Sequence, residues 1–135
     1  VCTTQTTNKI FDMVRAVTEK NQKRALDLYY DLLTLREPPM RILFLLAKQF
    51  RQICLTKKMS QEGLSQTEIA SKLGVPSFVV RNLASCARSY TVEELENAVR
   101  DFVDAEEAVK TGTLGDVLSV ELLIVKYSSA RAVRA

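Results

Sequence analysis

The sequence predicts an all-α fold: a single compact bundle of about seven helices around a central helix at residues 38–58. Three observations predict it. The stretch PPMRILFLLAKQFRQICLTKK at 38–58 sets Leu43, Leu46, Ala47, Phe50, Ile53 and Cys54 at helical spacing, the most sustained apolar stripe in the chain. Only four glycines and three prolines occur in 135 residues, which suits helices with short connections better than a turn-rich sandwich. Two capping-box signatures, Ser65 with Glu68 and Thr91 with Glu94, mark further helix starts.

Residues 1–8 are polar, threonine-rich and aperiodic, and read as a linker remnant before a helical domain at 9–128. Asn8 suits the cap of a first helix at 9–18, with Ile10, Phe11, Val14 and Val17 inward and Asp12, Arg15 and Glu19 outward. A second helix at about 22–35 buries Ala25, Leu28, Tyr29, Leu32 and Leu33. Lys23, Arg24, Asp27 and Asp31 pair on its wet side. Tyr29 and Tyr30 read as core and edge aromatics. Pro38 and Pro39 open the central helix, because a missing N–H costs nothing in a first turn. Ile42 and Leu45 widen its apolar surface, whereas Lys48, Arg51, Gln52, Lys57 and Lys58 leave the far end basic.

A loop at 59–64 precedes a short helix from Ser65 to Gly74. Pro76 starts another, running to about Arg88 through Phe78, Val79, Leu83, Ala84 and Cys86. Thr91 opens a long helix reaching Thr111, with Leu95, Ala98, Val99, Phe102 and Val109 as its stripe. Gly112 and Gly115 bracket a break. Asp116 then begins a last helix whose Val117, Leu118, Val120, Leu122, Leu123, Ile124 and Val125 predict burial on more than one face. Residues 129–135 read as a disordered basic tail.

Composition bounds the function. The apolar share of 47% and charged share of 26% are those of a folded globular protein. Net charge is only +3, too little to argue for nucleic acid alone. It is unevenly placed: residues 1–67 hold 11 basic and 6 acidic side chains, residues 68–135 hold 8 and 10. Three cysteines without paired spacing, Cys54 and Cys86 within apolar helical patterns, point to a reducing cytoplasm. The longest wholly apolar run, residues 42–47, is far short of a membrane span. The first residue is Val1, which points to a fragment of a longer protein.

The absence of histidine removes Ser-His-Asp and Cys-His nucleophiles and the usual zinc ligands. No phosphate-cradling loop is present. Glu93, Glu94, Asp101, Asp104, Glu106 and Glu107 read as a solvated helix face, since no companion base accompanies them. Neither an enzyme site nor a cofactor site is expected. The sharpest local motif is QTEIASKLGVPSFVVRNLAS at 66–85. Its Ala70, Gly74 and Val80 match a helix-turn-helix corner. As a DNA reader this corner would present Ser77, Arg81, Asn82 and Ser85 to a major groove, with Arg81 meeting guanine and Asn82 adenine. As packing it is scaffold: Phe78 and Val79 near the reading end favour burial, and Arg81 and Arg88 are the second helix's only cations. Arg41, Lys48, Arg51, Lys57, Lys58 and Tyr127 are candidate contacts for a neighbouring protein or a nucleic-acid backbone, with Tyr127 either an exposed anchor or a helix-end side chain.

Taken in order, IFDMVRAV at 10–17, KRALDLYYDLL at 23–33, RILFLLAKQFRQI at 41–53, SQTEIASKLGVPSFVVRNL at 65–83, YTVEELENAV at 90–99 and AEEAVKTG at 105–112 carry a resemblance. Their order and separations resemble the C-terminal region of the bacterial DNA polymerase III delta subunit, a clamp-loader component. One departure is Glu106, where the family tends to have aspartate; either acid pairs with Lys110 one turn on. The resemblance implies a non-catalytic, collar-type oligomerisation domain that joins other clamp-loader subunits during DNA replication. It implies contact with the sliding clamp only through domains that precede this one, and with DNA only indirectly or weakly. Under it the helix-turn-helix-like corner is scaffold. The alternative is a sequence-specific DNA-binding regulator.

Overall fold

In the computed structural model, which describes residues 2–129 and the side chains of residues 8–129, seven helices and no strand are formed. They are α1 (Cys2–Thr18), α2 (Gln22–Thr34), α3 (Pro39–Gln61), α4 (Gln66–Leu73), α5 (Ser77–Ala87), α6 (Val92–Lys110) and α7 (Asp116–Ser128). The hub is α3, which packs against α1, α4, α5, α6 and α7. Around it α1 pairs with α2, and α7 closes the bundle against α2 and α6. Phe50, fully buried on α3, sits at the aromatic centre. Its ring lies 5.1 Å from Phe102, 5.9 Å from Tyr90 and 6.1 Å from Tyr127. The corner of α4 and α5 forms as the motif requires, with Gly74 left-handed at φ 73° and a small core of its own from Ile69, Ala70 and Val80. Both capping boxes close. Ser65 and Thr91 each donate their N–H to a Glu68 or Glu94 oxygen at 2.8 Å and accept that glutamate's N–H.

Several local expectations are corrected. The helix that Asn8 was to cap runs from Cys2, so Asn8 is interior to α1; no proline or glycine stands upstream to stop it propagating. The core side of α1 is Ile10, Met13, Val14, Ala16 and Val17, while Phe11 is 44% exposed. The loop expected at 59–64 shrinks because α3 continues to Gln61. Phe78 is 57% exposed, since α5 turns Val80, Leu83 and Ala87 inward instead. On α7 only Val120, Leu123 and Ile124 of the expected apolar set are buried. Val117, Leu118 and Leu122 face solvent, because α2, α6, α1 and α3 cover one side of the helix. Tyr127 is fully packed, only 2% exposed, and is no exposed anchor. The tail expected at 129–135 lies beyond the described residues except for Ser129.

Two helices end on left-handed residues that are not glycine. Lys20 (φ 63°) and Arg36 (φ 64°) each follow a helix whose last carbonyls are closed by Schellman-type bonds. Asn21 N–H donates to the Ala16 carbonyl and Lys20 N–H to that of Val17; Glu37 and Arg36 repeat the pattern on Leu32 and Leu33. A left-handed conformation costs an L-residue on the order of 1 kcal/mol, so each side chain is retained at a backbone cost. Lys20 offsets it: its Nζ lies 4.0 Å from the Tyr90 ring centroid and donates to the Tyr127 carbonyl at 3.3 Å. The Arg36 side chain is exposed and forms no hydrogen bond or ion pair among the described residues. Arg36→Gly is therefore expected to raise stability by roughly 0.5–1 kcal/mol. Lys20→Gly is expected to leave stability unchanged or lower it. Paired urea denaturation curves check this, and equal gains at both positions contradict the role given to Lys20.

Candidate functional site

The solvent side of α3 is not uniformly polar. Steps of three and four residues bring Arg41, Phe44, Lys48, Arg51 and Leu55 onto one exposed strip, with Phe44 60% and Leu55 39% exposed. Of the six candidate contacts read from the sequence, this strip unites Arg41, Lys48 and Arg51. It excludes the others. Lys57 projects from a different side of α3, where its Nζ donates to the Ala87 carbonyl at 3.2 Å and ties α3 to the end of α5. Lys58 pairs with Glu96 of α6 at 2.5 Å, a contact that holds the lysine's pKa up and the glutamate's down. Tyr127 lies in the core. Arg41 is itself paired with Glu37 at 2.6 Å, so Lys48 and Arg51 carry the strip's unpaired positive charge among the described residues.

Beside this strip a groove of about 480 Å³ opens between α1, α3 and α5. Phe11 and Phe78 line it, Val14, Ile53 and Leu83 supply further apolar surface, and Lys48, Arg15 and Asn82 are polar members of its lining. The four residues of the DNA-reading alternative are all exposed on α5. Asn82 and Ser85 also line a cleft of about 250 Å³ together with Arg15, Thr18 and Glu19 of α1.

A second apolar surface is carried by α7 and the turn before it. Leu114, Val117, Leu118 and Leu122 are 38–51% exposed and recur at three- and four-residue spacing. The helix beneath them is held firmly. The Tyr29 hydroxyl donates to the Val117 carbonyl at 2.8 Å, that of Tyr30 to Glu121 at 3.1 Å, and that of Tyr90 to the Tyr127 carbonyl at 2.7 Å. Lys126 and the Tyr127 hydroxyl both reach Asp101 on α6. Burial, with added repulsion from Glu121 and Asp116 at Tyr29 and from Cys86 and Glu94 at Tyr90, pushes both phenols up, so both stay protonated donors at neutral pH. The strip on α7 is thus a preorganised face.

Four acidic residues of α6 have structural partners. Glu94 closes a capping box, Asp101 holds α7, Glu106 pairs with Lys110 at 3.1 Å and Glu96 with Lys58. Among the described residues no three of His, Cys, Asp and Glu gather as metal ligands, and no helix is long and apolar enough to cross a membrane. Sequence reasoning missed Phe11, Phe44 and Phe78 as surface residues. For Phe44 the signal existed, since it falls outside the stripe of Leu43, Leu46, Phe50 and Ile53.

Comparison with known proteins places this architecture. A family model described as DNA polymerase III delta subunit, C-terminal domain, matches residues 7–127. The DNA polymerase III subunit delta of Bacillus subtilis is 32% identical over 117 residues, covering 87% of this chain and 34% of that protein. A solved structure, the Bacillus subtilis DNA clamp loader delta protein, superposes with a TM-score of 0.84 at 30% identity, over 91% of this chain and 36% of the other. The chain thus spans about a third of the length of the relatives it matches. The helical order, the capped corner and the match over residues 7–127 lead to one conclusion: the chain belongs to the family formed by the C-terminal domains of DNA polymerase III delta subunits.

Proposed function

We infer that this chain is a non-catalytic assembly domain that joins other clamp-loader subunits in an oligomeric collar and acts in the cytoplasm during DNA replication. The observation that carries this is the α7 strip: four exposed apolar side chains, three on the helix and Leu114 in the turn before it, with the helix fixed by three tyrosine hydroxyls and Asp101. The bonds that stabilise the domain also hold this face in place beforehand, so a partner that covers it avoids the ordering cost. Charged residues at its border, Asp116, Glu121 and Lys126, would align the partner rather than supply most of the affinity.

The test is association of the full chain with the C-terminal regions of the ATPase subunits of the same clamp loader, followed by native mass spectrometry and sedimentation. Leu118→Glu and Leu122→Glu are expected to weaken association by roughly tenfold or more each, with helical circular dichroism unchanged because both side chains are already exposed. No association at tens of micromolar, or full affinity in the double variant, overturns the reading. A strong preference for one DNA duplex, lost on Arg81→Ala and Asn82→Ala, would replace it with the regulator alternative.

A further inference from the structure

The groove between α1, α3 and α5 plays no part in the assembly reading, since no residue of α7 lines it. Its chemistry is specific. Two phenylalanines from different helices, Phe11 and Phe78, line it while remaining 44% and 57% exposed. Large apolar side chains left that open mark a recognition surface rather than a core. A volume of about 480 Å³ is in the range of small-ligand and side-chain pockets. The amides of Gln49, Gln52 and Asn82 can satisfy the backbone groups of an incoming segment.

The charge of the lining is one-sided. Arg15 and Lys48 belong to it and no carboxylate does. Arg51, one turn beyond Lys48 on the exposed strip of α3, extends the positive end. Asp12 and Glu19 of α1 are not in this lining, and Glu19 lines the neighbouring cleft, which shares Arg15 and Asn82 with the groove. We propose that this groove docks a short acidic peptide segment of a partner protein, whose aromatic or large aliphatic side chain seats between Phe11 and Phe78 while its carboxylates face Lys48 and Arg51. The chain's own last residues do not suit the groove. Residues 129–135 carry Arg131 and Arg134 and no acid, so they share its sign.

The experiment uses the full chain and a displayed library of random twelve-residue peptides, followed by fluorescence anisotropy on the enriched peptides. Enriched peptides are expected to combine at least two acidic residues with one aromatic or large aliphatic residue, and to lose affinity as salt rises. Lys48→Glu and Phe78→Ser are each expected to weaken binding by about tenfold. Both side chains are exposed, so thermal melts of the variants should match the parent. Lys23→Glu, at an exposed position of α2 that lines neither the groove nor the neighbouring cleft, serves as a control expected to leave peptide binding unchanged. The proposal is overturned if no peptide is enriched, or if those enriched are basic or uncharged. It is also overturned if binding ignores Lys48→Glu and Phe78→Ser. A dimer in sedimentation that Phe78→Ser dissociates would assign the groove to a second copy instead. Loss of the α7-dependent assembly leaves these outcomes unaffected, so the two readings fail separately.

Discussion

Phe50→Ala is expected to lower stability by about 3–5 kcal/mol, the range for deleting a fully buried aromatic ring. Phe50 is completely buried and meets Tyr90, Phe102 and Tyr127 with ring centroids 5.1–6.1 Å apart, two of these edge-on. Those partners come from the α5–α6 connection, α6 and α7, so the cavity opens where three segments converge on α3. None of them can collapse into it without disturbing bonds elsewhere. Tyr90 donates its hydroxyl to the carbonyls of Val17 and Tyr127, and Tyr127 donates its own to Asp101. For a domain of this length the loss corresponds to a fall in Tm of about 10–15 °C. Phe44→Ala supplies the comparison. It removes the same ring from the same helix, fewer than two turns away, but from a position 60% exposed, and is expected to cost no more than about 0.5 kcal/mol. Thermal melts of the two variants decide the matter: similar shifts would mean that α3 is not the hub of the bundle.

The contrast between these phenylalanines shows which features were legible in the sequence. Periodicity identified Phe50 as core because it shares a stripe with Leu43, Leu46 and Ile53. The two capping boxes and Gly74 were equally legible, because a cap is a contact within four residues and needs no tertiary partner. Asn8 failed as a cap because the same local chemistry is also compatible with a helix interior. Asn21, which does cap α2 by accepting the Arg24 N–H, looks no different in sequence. Exposure of Phe11, Phe78, Leu118 and Leu122 was hidden for another reason. An apolar pattern specifies that a helix has a side suited to burial, whereas the number of neighbours that cover it is a tertiary property. Tyr127 was misplaced by the same gap in the opposite sense, at a helix end that Phe50, Phe102 and Tyr90 happen to surround. The candidate site was legible only as a list of cations. That Lys48 and Arg51 share a strip follows from helical spacing, but that Lys57 and Lys58 serve α5 and α6 instead follows from contacts 30 or more residues apart.

Asp101→Asn is expected to cost about 1.5–3 kcal/mol at neutral pH, and that cost is expected to shrink as the solution is acidified. Asp101 on α6 accepts from Lys126 at 2.8 Å and from the buried Tyr127 hydroxyl, so one carboxylate pins the end of α7 to α6. Burial pushes its pKa up, but the hydrogen bonds from Lys126 and Tyr127 outweigh burial and hold it below the ordinary 3.8. The unfolded chain therefore takes up this proton more readily than the folded one. The stabilisation is complete above about pH 5 and is lost as pH falls through the depressed folded value. The Tyr127 phenol is shifted upward by burial and by Asp101 itself, so it stays protonated throughout and the carboxylate alone titrates. Denaturation of parent and variant at pH 7 and pH 3 measures the effect, and a difference that is the same at both values contradicts it. Because the segment that Asp101 holds also carries Leu118 and Leu122, Asp101→Asn is further expected to weaken the proposed assembly without touching the apolar strip. A variant that loses stability yet assembles at full affinity would show that the partner, not the domain's own bonds, fixes α7.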